Sequence, residues 1–113
     1  RELIHDRSGE KSEVIRARVV RSRDMQRKRF EGFPEIRCNA RMPPAMVQRL
    51  CRLTSENQRM LESAVKRLGF SARAVERIIK VSRTIADLDG KEEIMPQHLA
   101  EAIQYRSLDR VSS

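Results

Sequence analysis

The longest well-bounded periodic stretch of the chain runs from Gly69 to Gly90. Apolar or small residues recur at Val75, Ile78, Ile79, Ser82, Ile85 and Ala86, which share one side of a 3.6-residue helix. Arg73, Arg77, Lys80 and Thr84 fall on the other side. At about 100° per residue, Arg73 sits roughly 160° from Val75. Gly69 suits the end of a preceding helix, and Ser71 suits the cap of this one, which closes near Gly90. The pattern predicts a helix with a buried face, a basic back and one arginine in its first turn.

The rest of the chain reads in order around that helix. Arg1 to Lys11 is polar and mixed in charge and predicts a loop or frayed end. Ser12 to Phe30 predicts a helix capped by Ser12, with a weakly apolar stripe of Ile15, Val19, Ser22 and Gln26, and with Val14 and Met25 beside it. Such a stripe fits a helix lying on another surface rather than inside a bundle. Glu31 to Pro44 carries Gly32, Pro34, Asn39, Pro43 and Pro44 and predicts a linker, anchored by Phe33, Ile36 and Met42. A short helix follows over Pro44 to Leu53, with Met46, Val47, Leu50 and Cys51 inward. The next helix, Ser55 to Leu68, opens on a Ser55–Gln58 capping box or on Thr54, and buries Leu61, Ala64, Val65 and Leu68. Beyond Gly90, a polar loop turns Ile94 inward. Pro96 starts a last helix along Leu99, Ala102, Ile103, Tyr105 and Leu108, and Asp109 to Ser113 reads as a polar tail. No segment alternates with period two for long enough to be a strand. The expected fold is therefore all-α: a four-helix bundle over 44–113, preceded by a basic helix and a Pro/Gly linker over 1–43.

Composition narrows the function. The 113 residues suffice for one domain, and 39% hydrophobic with 35% charged residues suits a small helical unit with a modest core. The first residue, Arg1, fits a piece of a longer protein. No apolar run approaches the roughly 20 residues of a membrane span, and no signal peptide is visible, so the expectation is a cytoplasmic protein without a membrane partner. Cys38 and Cys51 lack metal-ligand spacing, and His5 and His98 lie far apart, so no metal site is expected and both thiols are read as free. The net charge is +8, concentrated in Ser12–Phe30, where seven Lys or Arg face two acids. Such an excess attracts polyanions, or else forms a solvated face against an acidic neighbour. Gly9-Glu10-Lys11-Ser12 superficially matches the end of a phosphate-binding loop. Glu10 stands where that loop needs Gly, and the upstream Gly and strand are missing, so no ATPase activity is expected of this chain alone. With 4% aromatic residues, base stacking is not the expected mode of nucleic-acid binding.

At Gly69-Phe70-Ser71-Ala72-Arg73-Ala74, and again at Arg77-Ile78-Ile79-Lys80-Val81-Ser82-Arg83-Thr84-Ile85-Ala86-Asp87-Leu88, the sequence resembles the C-terminal domain of magnesium-chelatase-like AAA+ proteins. The resemblance continues in His98-Leu99-Ala100-Glu101-Ala102-Ile103-Gln104-Tyr105-Arg106, in Ile15-Arg16-Ala17-Arg18-Val19 with Arg23 and Gln26, and in Cys38-Asn39-Ala40. These ordered pieces cover about Ser12 to Arg110, and Ser82 stands where the family more often has Ala. Within the family it is nearest to the branch associated with natural transformation and branch migration of recombination intermediates.

The resemblance implies that this chain is the helical lid of such an ATPase. The upstream core would carry the phosphate loop and would bind ATP and Mg2+, neither of which the lid binds alone. Arg73 matches the sensor-2 arginine that reaches the γ-phosphate, and Arg77 shares its stripe. The implied partners are the upstream core, neighbouring subunits of a homo-oligomeric ring (a hexamer) and DNA. Arg16, Arg23 and Arg27 are candidates for a DNA or subunit contact, whereas Arg83 is expected to pair with Asp87 or Glu76. The alternative reading is a free-standing basic helical module that binds DNA or protein.

Overall fold

Helix ends in this protein fall where backbone groups find partners. The computed structural model describes the backbone of residues 2–112 and the side chains of residues 12–106. It contains α1 (Glu2–Arg29), a 3-10 turn (Asn39–Arg41), α2 (Pro44–Leu50), α3 (Ser55–Leu68), α4 (Ala72–Leu88) and α5 (Pro96–Ser112), with no strand among the described residues. The fold is all-α. The Thr54 hydroxyl accepts the Asn57 N–H at 3.1 Å, and the Ser71 hydroxyl accepts the Ala74 N–H at 3.1 Å, so both helices are side-chain capped. Thr54, rather than Ser55, is the cap of α3. Gly69, at φ 69°, closes α3 in the left-handed conformation that glycine adopts without steric cost. At α5 the reciprocal half of a capping box is made by a histidine: the Met95 N–H donates to His98 Nδ1 at 2.9 Å. That leaves the His98 proton on Nε2, which meets Asp89 Oδ2 at 2.9 Å.

Three boundaries differ from the sequence-based expectation. Residues 2–11, expected as a loop or frayed end, continue α1, so Ser12 lies inside the helix and caps nothing. Glu2, Leu3, Arg7, Glu10 and Lys11 in that stretch favour helix, and Gly9 lowers stability by about 1 kcal/mol without breaking it. Helix α2 stops at Leu50 instead of Leu53, because Cys51 leaves helical geometry at φ −118°, ψ 65°. Helix α5 runs to Ser112 through the expected tail, and the side chain of Leu108 lies outside the described residues.

Helix α4 is the centre of the molecule. It touches α1, the 3-10 turn, α2 and α5, while α3 packs on α5. One core unites Val47, Leu61, Ala64, Phe70, Ala74, Ile78, Ala86, Ile94, Leu99, Ala102 and Ile103 with Phe30 of the α1 end and Met42 of the linker. Helix α1 is about 42 Å long at 1.5 Å per residue, and among its described side chains those that meet this body lie toward its C-terminal end. Ser22 and Phe30 are buried there, and Val19, Met25, Gln26 and Arg29 are half-buried. Farther back, Val14 and Ile15 are exposed, as the weakly apolar stripe foreshadowed.

Candidate functional site

The N-terminal end of α4 presents two unengaged arginines. Arg73 and Arg77 are exposed, and neither makes a hydrogen bond or ion pair among the described residues. Arg73 stands in the first turn, beside the cap at Ser71, where unsatisfied backbone N–H groups leave partial positive charge. Arg77 edges an open groove of about 310 Å³ that is floored by Ile78, Val81 and Ala102 and flanked by Tyr105 and Arg106. Val81 and Tyr105 are exposed there, so Tyr105 sits at the rim rather than in the core. The basic back does not continue along the helix. Lys80 pairs with Glu76 at 3.5 Å and donates to the Ala40 carbonyl at 3.3 Å, because the 3-10 turn lies over this side.

The arm arginines form a second basic surface. Arg16, Arg23 and Arg27 are all exposed on α1, and Arg27 reaches Asp24 at 3.3 Å. Arg23 and Arg27, with Arg37 of the linker, rim an open groove of about 530 Å³ over Gln26, Ile36 and Cys38. Arg37 was not foreseen as a partner of these two, since its place depends on how the linker folds back. The structure does not bring this surface to Arg73. The hydrogen bonds between the arm or linker and α4 fall between Lys80 and Asp87. Arg73 lies about 21 Å from Asp87 along the helix, at 1.5 Å per residue.

A third cluster was largely invisible in the sequence. Asp87 has no exposed surface, and its carboxylate receives two guanidinium groups. Arg29 donates Nη2 to Oδ1 at 2.7 Å and Nη1 to Oδ2 at 2.8 Å, a bidentate pair. Arg83, foreseen as a flank residue pairing with Asp87, does make that pair but is buried, donating Nε to Oδ1 at 3.2 Å. Its remaining donors go to the Glu92 and Lys91 carbonyls, both at 2.6 Å. Burial pushes the Arg83 guanidinium down from its usual value, and Asp87 opposes that shift. Asn39 completes the cluster. Its Nδ2 donates to Asp87 Oδ2 at 2.9 Å and to Thr84 Oγ1 at 3.0 Å, and its Oδ1 accepts from Arg29 at 2.9 Å. The Asn39 N–H donates to Gln26 Oε1 at 2.9 Å, and Gln26 donates in turn to Ser22. Arg29, one of the seven arm cations counted in the sequence, is thus half-buried and tied to this cluster. The i,i+4 spacing of Arg83 and Asp87 was the one legible signal.

Cys38 is half-buried, Cys51 is buried, and both are free. Among the described residues, no three His, Cys, Asp or Glu side chains group as metal ligands. No helix of the described residues is long and apolar enough to cross a membrane.

Comparison with known proteins follows the same elements. The family model described as magnesium chelatase, subunit ChlI C-terminal, matches residues 9–106, from within α1 to α5. The chain belongs to this family. It is 41% identical over 103 residues to the competence protein ComM of Haemophilus influenzae, covering 91% of this chain and 19% of that protein. It is 40% identical over 103 residues to the uncharacterized protein YifB of Escherichia coli, again covering 91% of this chain and 19% of the relative. Against YifB of Salmonella typhimurium it is 37% identical over 107 residues, covering 95% and 20%. The chain thus spans about a fifth of the length of these relatives. The family match begins at residue 9, within α1.

Proposed function

We propose that this domain is the lid of an AAA+ ATPase and that Arg73 is its sensor-2 arginine, contacting the γ-phosphate of ATP held by an upstream core. The observation that carries this reading is Arg73 itself: exposed, without a partner among the described residues, and in the first turn of a capped helix. A guanidinium fork suits phosphate oxygens, and the helix N-terminus adds to the favourable potential. Residues of this chain fit one contact to a nucleotide and not a whole site, so ATP and Mg2+ belong to the full-length protein. Its partners are that core, neighbouring subunits of a hexameric ring and DNA, and its work is ATP-driven DNA remodelling in the cytoplasm, branch migration in natural transformation. The competence name of one relative supports the biological setting. Arg77 is a secondary candidate on the same stripe.

The test is Arg73→Ala in the full-length protein. ATP turnover is expected to fall about 10²-fold, the order for losing one donor to developing charge, with helicity and melting unchanged. Unchanged turnover sinks the assignment. A second reading, a basic module contacting DNA phosphates, draws on the Arg23, Arg27 and Arg37 groove together with Arg16. It requires the isolated chain to bind duplex DNA, whereas a lid binds it weakly or not at all.

A further inference from the structure

The Asp87 cluster joins four segments: the arm and linker on one side, and the end of α4 with its following loop on the other, 58 positions from Arg29 to Asp87. Arg29 closes the arm, Asn39 the linker, and Asp87 lies near the end of α4. Through Arg83 the cluster also holds the carbonyls of Lys91 and Glu92 in the following loop. Beyond it, Arg21 packs its guanidinium against Gly90, 3.2 Å from where a Cβ would stand. Apolar attachment of α1 is thin by comparison. No hydrophobic side chain of α1 is buried among the described residues; Phe30, just past its end, is, and the inner face of α1 is Ser22, Gln26 and Arg29, with Val19 and Met25 half-buried. Apolar contacts alone tolerate sliding, whereas a bidentate guanidinium–carboxylate pair is directional and sets one angle. The same α4 carries Asp87 in its last turns and Arg73 in its first, about 21 Å apart on one continuous helix.

We infer that Asp87 is a positioning residue: with Arg29 and Asn39 it locks the arm to α4, so that arm and helix move as one body and displacement of the arm is carried to Arg73. The inference rests on the proposed role of Arg73. Rigid elements held by a buried network are the physical means by which separated sites couple. The arm is the segment nearest to any chain preceding this domain, so movement there reaches Arg73 through the Asp87 junction.

Arg29→Met tests the junction, because it removes the fork while Asp87 keeps Arg83 as a partner. In the isolated chain, hydrogen exchange is expected to speed up at least tenfold over residues 19–42 and to stay within twofold over residues 61–103. Unchanged exchange over 19–42 overturns the clamp. In the full-length protein, Arg29→Met is expected to lower kcat for ATP about tenfold with KM within twofold, and Arg29→Lys, which keeps the charge but not the fork, to recover part of it. If Arg73→Ala lowers turnover and Arg29→Met does not, the coupling is wrong and the role of Arg73 stands. If Arg73→Ala is silent, both fall. Should Arg29→Met unfold residues 61–103 as well, Arg29→Lys carries the same two readouts.

Discussion

At the scale of single residues, environment decides chemistry more than residue type. Among the arginines, Arg73 and Arg77 are open to solvent, whereas Arg29, half-buried, and Arg83, buried, are tied to one carboxylate. The two cysteines divide in the same way. Burial pushes the Cys51 thiol up, against the opposing pull of Arg83 and Arg29, so it presents little thiolate and little access. A thiol reagent at neutral pH is expected to label Cys38 first and Cys51 only at the rate of unfolding; equal rates in mass spectrometry contradict this. The hydrogen bond from His98 holds the Asp89 carboxyl below the usual carboxylate range, with Lys91 and Arg18 acting in the same direction. The folded state therefore binds a proton less readily than the unfolded chain. The Asp89 contribution to stability is present above about pH 4 and is lost as pH falls through the depressed folded value. Asp89→Ala is expected to lower the urea midpoint at pH 6, and the difference from the parent is expected to shrink by pH 2. A constant difference across that range rules the linkage out.

At the scale of elements, the helix ends around Gly69 and Ser71 follow local chemistry and were therefore legible. Gly69 and Ser71 close one helix and open the next within three residues, and both roles were readable from residue type alone. Ser71→Ala is expected to cost about 1 kcal/mol by loss of the cap to Ala74. Gly69→Ala is expected to cost about 1 kcal/mol as well, from left-handed backbone, since nothing lies within 4 Å of the added methyl. Denaturation midpoints read both, and a Gly69→Ala variant as stable as the parent contradicts the strain argument. The start of α1 was missed because its first residues are polar and aperiodic, and helix propensity without an apolar stripe leaves no periodic trace. The basic back of α4 was read too long for another reason. Lys80 and Thr84 have the right angle on the helix, but the linker covers them.

At the scale of the whole molecule, charge and architecture separate two functions. The +8 net charge favours polyanions in general, so bulk electrostatics alone does not identify a site. If the arm is a phosphate-binding surface, log affinity for duplex DNA falls linearly with log salt. Replacing Arg23, Arg27 and Arg37 by Ala then reduces the slope by about 3 units, at nearly one per phosphate contact. Replacing the exposed Arg49, Arg52 and Arg59, an equal change in charge, is expected to reduce it less. Equal losses in the two variants point to diffuse attraction, and absence of binding by the isolated chain favours the lid reading.

Sequence by itself determined the all-α class, the main helices, the caps at Gly69 and Ser71 and the family, because each depends on local periodicity, residue-specific backbone geometry or ordered motifs. It also placed Arg73 in the first turn of α4, on the side away from Val75. Tertiary structure alone decided which polar residues are interior. Arg29 and Asp87 are 58 positions apart, and no local pattern marks a carboxylate on one helix as the partner of an arginine on another. Periodicity reports which face of a helix avoids water. What a polar residue on that face meets depends on how the chain returns, and here it returns through Asn39 to close the arm onto the helix that carries Arg73.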